Sequence, residues 1–134
     1  MAGYSKKSLV EKLGIKQNFR ILILDSPKDY FKTLGQLPKG IKIDAKISGN
    51  YDFIQFFTKE KNNLERMFPA FKIALIANGA LWISWPKKSA KIETDINENI
   101  VRAIGIKNAM VDVKIAAVDD IWSGLKFVYR LKDR

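Results

Sequence analysis

The chain has 134 residues, enough for one domain with a buried core, and 47% of them are apolar, which excludes a disordered chain. Lys and Arg number 24 against 14 Asp and Glu, so the net charge is +10. Cys and His are absent, which excludes disulfides, thiol nucleophiles, zinc sites built on these residues and any mechanism that needs an imidazole. We predict a single domain over residues 1–134.

The N-terminal half is predicted to alternate helices with strands. Ser5 is expected to cap a short helix that Gly14 ends in a left-handed conformation. The aliphatic run at 19–24 predicts a strand covered on both faces. Ser26, followed by a proline, is expected to cap a second helix, which Gly35 ends.

The middle of the chain continues this alternation. Residues 41–47 alternate apolar with polar side chains and carry Lys, which predicts a half-exposed edge strand. Residues 51–57 predict a second buried strand. A helical stripe follows over 64–75, where Pro69 predicts a kink or two consecutive helices. Asn78 and Gly79 are expected to close this helix.

The C-terminal third predicts one helix and three strands. The apolar run at 80–85 predicts a third buried strand. A helix is expected to begin at a cap formed by residues 94–95 and to end at Gly105. Residues 110–118 and 125–131 predict two strands, and the short connection between them requires an antiparallel pair.

This order of elements predicts an α/β fold. We expect a three-layer, Rossmann-like arrangement, in which helices cover both faces of a mostly parallel sheet that ends in an antiparallel C-terminal hairpin. Sheets of this kind bind ligands at the carboxyl ends of their strands, near a topological switch point. Four segments are expected at that edge: 25–29, 58–60, 85–91 and 118–124.

Several short segments resemble those of a known family. They are Tyr4-Ser5, LGIK at 13–16, GALWISWPKK at 79–88, Thr94-Asp95, VDVK at 111–114 and DDIWSGLKFV at 119–128. Together they resemble a family of small bacterial domains of unknown function, whose members look like shortened relatives of the S-adenosylmethionine-dependent methyltransferases. The resemblance covers nearly the whole chain, and it implies a methyltransferase-like fold without an assigned activity.

Two segments depart from the methyltransferase pattern. In those enzymes the first strand leads into a glycine-rich turn, which lets the backbone approach the cofactor, whereas residues 24–29 contain no Gly and Pro27 lacks an N–H donor. The Asn/Asp-Pro-Pro-aromatic motif of nucleic-acid methyltransferases is replaced by FTKE at 57–60. We therefore predict no cofactor, argue against S-adenosylmethionine as a ligand, and carry over no catalytic residue.

Aromatic and basic side chains cluster in the predicted edge segments. Trp85 lies with Lys87 and Lys88 where the third buried strand leaves the sheet, and such a group can stack on a ring and neutralise a phosphate. Trp122 and Lys126 are expected to face them across the edge. The structural alternative is that the tryptophans cover the core and the lysines are solvated.

Three further polar residues are candidates for ligand binding. Asp119 could pair with the nearby lysines, act as an acid or base, or cap a turn. Asp119 is followed by Asp120, but two adjacent carboxylates supply too few ligands to indicate a metal site. Ser26 and Lys28 begin the helix after the first strand and could attract an anion, although capping alone explains Ser26.

We accordingly predict a non-catalytic, methyltransferase-like binding or regulatory module, whose basic and aromatic edge receives an anionic small molecule or an acidic protein segment. One alternative is a small enzyme acting on a nucleotide-like or phosphorylated substrate, with Asp119 as acid or base and Lys88 stabilising charge. The other is a non-specific nucleic-acid binder, a weaker alternative because only five of the basic residues are Arg.

The sequence also carries a prediction about location. Residues 1–13 contain no apolar run of signal-peptide length, and no stretch of the chain approaches the roughly 18 apolar residues of a membrane span. We predict no membrane association and, by elimination, a cytoplasmic protein.

Overall fold

One mixed sheet organises the chain in the computed structural model, which describes residues 7–134. The strands of this part of the chain are β1 (Arg20–Leu24), β2 (Lys42–Asp44), β3 (Tyr51–Phe57), β4 (Leu75–Pro86), β5 (Met110–Ala117) and β6 (Trp122–Tyr129). Its α-helices are α1 (Leu9–Leu13), α2 (Tyr30–Leu34), α3 (Lys61–Ala74) and α4 (Glu98–Lys107). No helix of residues 7–134 combines the length and the apolar character that crossing a membrane requires.

The strand order is β2-β1-β3-β4-β6-β5. Strands β1 to β4 run parallel to one another, whereas β6 is antiparallel to both β4 and β5. The chain moves outward from β1 to β2 and then returns to the other side of β1, so the switch point lies between β1 and β3. This arrangement confirms the predicted α/β fold with an antiparallel C-terminal hairpin.

Helices cover both faces of the sheet, and the core is divided accordingly. On the α3/α4 face, Phe68 of α3 packs edge-on against Phe127 of β6, with ring centroids 5.5 Å apart. On the α1/α2 face, the buried Trp82 of β4 donates a hydrogen bond from its indole Nε1 to Leu13 O at 3.1 Å. Because successive strand residues point to opposite faces, each central strand contributes to both cores.

The two short helices begin differently from the prediction. Ser5 lies outside the described residues, and Ser8 caps α1 in a reciprocal pair with Glu11. Gly14 ends α1 at φ 81°, as predicted. Helix α2 begins after Asp29, whose φ is 63°, so the prediction that Ser26 caps it was wrong.

Two glycines predicted to end helices serve packing instead. Gly79 lies inside β4, where an added Cβ would stand 3.0 Å from Asp52 O and 2.7 Å from a methyl carbon of Leu75. Gly105 lies inside α4, where a Cβ would collide with the ring of Phe127. In both places the close approach of two elements, and not a turn, requires glycine.

The remaining boundaries follow from tertiary contacts. Helix α3 is continuous through Pro69. Asn97 caps α4, whereas the predicted cap residue Asp95 accepts a hydrogen bond from Lys61 N at 2.8 Å and so holds the start of α3. Strand β2 is an edge strand, as predicted, but spans only three residues.

Candidate functional site

The carboxyl ends of the parallel strands meet at one edge of the sheet, which we call the rim. Strands β1, β3 and β4 end there, β5 ends beside them, and β6 begins there. The rim therefore contains the four predicted segments, 25–29, 58–60, 85–91 and 118–124. Within residues 7–134, three cavities open along it.

The first cavity lies at the switch point between β1 and β3 and has a volume of about 320 Å³. We call it the switch cleft. It is lined by Asp25, Phe57, Thr58, Lys59, Glu60, Asn63 and Trp122. Ligands of open α/β sheets bind at this position, because the loops that follow β1 and β3 diverge there.

The turn that leads out of β1 is tight although it contains no glycine. Asp25 and Asp29 both adopt left-handed conformations, with φ values of 58° and 63°. Aspartate tolerates this region better than most residues, because its short side chain can bond the local backbone. The absence of glycine therefore does not prevent a sharp turn here. Among residues 7–134, the backbone amides of Ser26 and Lys28 in this turn donate no hydrogen bond to another residue.

A chain of buried side chains supports the floor of the switch cleft. Tyr30 meets the ring of Phe57 edge-on at 4.8 Å between centroids, and Phe57 meets Trp122 at 5.2 Å. Tyr30 Oη donates to Gln55 Oε1 at 2.6 Å, and Gln55 Nε2 donates to Ser84 Oγ at 3.2 Å. Burial raises the pKa of Tyr30 well above its ordinary value, so the phenol remains a neutral donor.

The walls of the switch cleft carry free carboxylates. Thr58 Oγ1 accepts a hydrogen bond from Glu60 N at 3.2 Å and one from Asn63 Nδ2 at 3.4 Å, which orders the entry to α3. Within the described part of the chain, the carboxylates of Asp25 and Glu60 take part in no ion pair and accept no hydrogen bond. They are available to a ligand that carries positive charge or hydroxyl groups.

The second cavity lies on the α3/α4 side of the rim and has a volume of about 430 Å³. We call it the lysine cleft, because Lys87 and Lys88 border it. Its apolar lining consists of Trp85, Pro86, Ile92, Ile96 and Ile115. Its remaining lining is polar: Thr94, Asn97, Glu98 and Ser123.

The sheet separates the two tryptophans that the sequence placed together. Trp85 lies opposite Ser123, and Pro86 lies opposite Trp122. Opposed residues of an antiparallel pair point to the same face, so Trp122 shares the face of Pro86. Because neighbouring residues of a strand point to opposite faces, Trp85 and Trp122 point to different faces. Trp85 belongs to the α3/α4 core and Trp122 to the α1/α2 core. The predicted single basic and aromatic surface is therefore two sites.

Lys126 lies away from the rim. It pairs with Trp82, four residues before the end of β4. Burial lowers the pKa of Lys126, and the positive charges of Lys114 and Lys16 lower this pKa further. A Cβ added at Gly14 would stand 4.0 Å from the Lys126 ammonium, which places this side chain at the end of α1. It does not face Trp85 or either cleft.

The other candidates lie on the rim but do different work. Asp119 Oδ1 accepts hydrogen bonds from Ile121 N and Trp122 N, both at 2.8 Å, so this carboxylate caps the turn between β5 and β6. Ser26 is half-buried and Lys28 is exposed, and both lie on the turn beside Asp25. The geometry favours a structural role for Asp119 over that of an acid or base.

Sequence reasoning placed Trp122 and the segments 25–29 and 58–60 at the rim but did not single out Asp25 or Glu60, which line the switch cleft. Two polar residues inside apolar runs, Gln55 and Ser84, were the signal that could have located it, because buried polar side chains need partners. Asp25 and Glu60 carry no such signal, since acidic residues in loops are usually solvated.

A third cavity, of about 460 Å³, has lining residues in common with both clefts. It shares Lys59 and Glu60 with the switch cleft and Thr94 with the lysine cleft.

Comparison with solved structures gives extensive matches. A magnesium protoporphyrin IX methyltransferase from Synechocystis PCC 6803 with bound SAM is 11% identical, with a TM-score of 0.58 over 91% of this chain and 74% of that one. The DhpI–SAH complex is 9% identical, with a TM-score of 0.65 over 92% and 83%. A SAM-dependent methyltransferase from Aquifex aeolicus is 14% identical, with a TM-score of 0.57 over 89% and 86%.

These matches establish a methyltransferase-like fold. No protein-family model and no curated protein matches the chain. The predicted resemblance to a bacterial domain family thus gains no support beyond the fold. The prediction against S-adenosylmethionine was wrong, because structures of this fold contain bound SAM and SAH. It rested on the missing glycines and on FTKE at 57–60, and the turn after β1 contains two left-handed aspartates, Asp25 and Asp29.

Proposed function

We propose that this domain binds S-adenosylmethionine or S-adenosylhomocysteine in the switch cleft. The observation that carries the proposal is the turn after β1, where Asp25 bends the backbone at φ 58° without glycine and borders a cavity at the switch point. The bound SAM and SAH of structures with the same fold support it.

The residues of the switch cleft suit the chemical groups of this ligand. Its volume of about 320 Å³ falls at the lower end of the range of small-molecule sites. The carboxylates of Asp25 and Glu60 would hold the ligand's ammonium and ribose hydroxyls, and Lys59 would hold its carboxylate. Trp122 offers an apolar ring to adenine. When bound, S-adenosylmethionine supplies a methyl group on a positively charged sulfur.

The domain acts as a binding or regulatory module rather than as a transferase. The carboxylate of Asp119 is engaged by two backbone amides, and the chain has no imidazole or thiol to move a proton. The loop after β3, FTKE at 57–60, also differs from the Asn/Asp-Pro-Pro-aromatic motif of nucleic-acid methyltransferases. These features support ligand binding without turnover.

Calorimetric titration with S-adenosylhomocysteine tests the binding. We expect saturable binding by the natural chain and affinity about tenfold weaker for Asp25→Asn, which keeps a residue tolerant of positive φ but removes the charge. Asp120→Asn is the matched control, because this exposed rim residue lies outside the switch cleft. Absence of binding at millimolar ligand would refute the proposal.

Turnover is tested separately by mass spectrometry. The protein is incubated with S-adenosylmethionine and a small-molecule extract of cells. We expect S-adenosylmethionine to be lost no faster with the protein than by its spontaneous breakdown without it. Protein-dependent formation of S-adenosylhomocysteine, lost in Asp25→Asn, would instead identify a methyltransferase.

A further inference from the structure

We propose that the lysine cleft is a second ligand site, which binds a small anionic molecule with a flat apolar body, such as an aromatic carboxylate, sulfonate or phosphate. The site lies on the opposite face of the sheet from Trp122 and does not require S-adenosylmethionine. Its occupant is defined by two features of the lining, an apolar wall and an uncompensated positive charge.

The wall is apolar and partly open to solvent. Trp85 lines the cleft and is only 5% exposed, so the surrounding sheet and helices hold its ring in place. Ile115 of the edge strand β5 is 49% exposed, although it lines the same cavity as Trp85. A flat apolar group placed between them would remove this surface from water, which is favourable in proportion to the area covered.

The positive charges of Lys87 and Lys88 have no ion-pair partner among residues 7–134. Residues 7–134 form four ion pairs, and none of them includes Lys87 or Lys88. The carboxylate that lines the cavity, Glu98, is bound to Arg102 at 2.6 Å between Oε2 and Nη2. The two ammonium groups are therefore available to an anion, which lysine binds as a point charge.

The backbone that carries these lysines is fixed. Lys87 N donates to Ile121 O at 2.7 Å, which extends the pairing between β4 and β6. Ala90 N donates to Lys87 O at 3.0 Å, and Lys88 begins a short 3₁₀ turn. The backbone from which both lysine side chains extend is therefore held next to Trp85 before a ligand binds. A preorganised site loses less entropy on binding.

The three tryptophans make the proposal directly measurable by ¹⁵N NMR. Trp85 reports the lysine cleft and Trp122 reports the switch cleft. Trp82 is fully buried and bonded to Leu13 O, so its indole signal is an internal reference. Naphthalene-1-sulfonate is the probe, and the uncharged naphthalene-1-sulfonamide is its control.

We expect naphthalene-1-sulfonate to shift the Trp85 indole signal saturably, while the signals of Trp82 and Trp122 stay in place. The double variant Lys87→Gln/Lys88→Gln should bind the probe about tenfold more weakly. Lys32→Gln/Lys39→Gln removes the same charge from exposed sites elsewhere and should bind like the natural chain. These exposed substitutions keep the fold, which the same spectra verify.

The proposal fails if the Trp85 signal stays fixed at several millimolar probe. It also fails if the sulfonamide binds as tightly as the sulfonate, or if the two double variants bind equally. Titration with S-adenosylhomocysteine in the same sample reads the Trp122 signal instead. Failure of that titration would refute the proposed function and leave the lysine cleft unaffected.

Discussion

The switch cleft and the lysine cleft occupy the same rim but are built in different ways. The switch cleft depends on strained backbone at Asp25 and on a buried chain of polar and aromatic side chains beneath Phe57. The lysine cleft depends on two lysines over a wall of core side chains. Residues that lie close together at a sheet edge therefore need not form one site, because successive side chains along a strand point to opposite faces of the sheet.

Removing the floor of the switch cleft should have the largest effect. Phe57 is 2% exposed and touches both Tyr30 and Trp122, so Phe57→Ala should lower the free energy of unfolding by about 3 kcal/mol through the cavity it leaves. Chemical denaturation measures the loss. The Trp122 indole signal should shift while that of Trp85 stays in place, and equal shifts of both would contradict the separation of the two clefts.

The buried hydrogen bonds beneath that floor should contribute less. Tyr30→Phe leaves Gln55 Oε1 without its donor, so the free energy of unfolding should fall by about 1–2 kcal/mol. Phe31→Leu is the neighbouring control and should change little, because Phe31 is 47% exposed. Ultraviolet titration should show no phenolate from Tyr30 until the protein unfolds in alkali, since burial raises its pKa.

Two substitutions of Asp119, in the turn between β5 and β6, distinguish a structural from a chemical role for this residue. Asp119→Ala removes the acceptor of two backbone amides and should cost about 1 kcal/mol of unfolding free energy. Asp119→Asn keeps an acceptor oxygen and should be nearly neutral. A loss of ligand binding or turnover in Asp119→Asn as large as that in Asp119→Ala, with stability retained, would favour a chemical role.

Lys126 should have the smallest effect, because it serves neither cleft. Its pKa is lowered in the folded state, so its charge destabilises the fold at neutral pH, and this penalty disappears as pH rises through the folded pKa toward the ordinary lysine value. Lys126→Met should therefore stabilise the protein at pH 7, by no more than about 0.5 kcal/mol because solvent screens the partly exposed group. Thermal melts at pH 7 and pH 10.5 should show a smaller gain at the higher pH, where the lysine is partly deprotonated.

Lys126→Met also tests whether the central strands communicate with the rim. Binding of naphthalene-1-sulfonate and of S-adenosylhomocysteine should match that of the natural chain. A tenfold change in either affinity would show that the charge at Lys126 acts on a cleft it does not border.

Local sequence patterns were sufficient for most of the sheet. The buried strand over Tyr51–Phe57 has the predicted bounds, because a long aromatic and aliphatic run allows few alternatives. Gly14 ends α1 as predicted, since a left-handed cap favours glycine locally. The short connection predicted at 119–124, which spans 118–121 in the structure, required the antiparallel hairpin. Such signals are readable because each depends on neighbours in sequence.

The candidate site was predictable in place but not in composition. The rim segments followed from the order of elements, and Trp85, Lys87 and Lys88 do border one cavity there. Trp122 belongs to a second cavity, and Lys126 belongs to neither. The split depends on the register of β4 against β6, a relation between residues about 40 positions apart that no local pattern contains.

The sequence by itself therefore determined the fold class, the order of the elements and the edge at which ligands would bind, because apolar period and turn chemistry are local properties. Only the tertiary structure decided that Gly79 and Gly105 admit close packing, that Asp25 adopts a left-handed conformation, and that the rim holds two clefts. Each of these depends on which distant atoms approach a residue, and that is settled only when the helices and strands pack together.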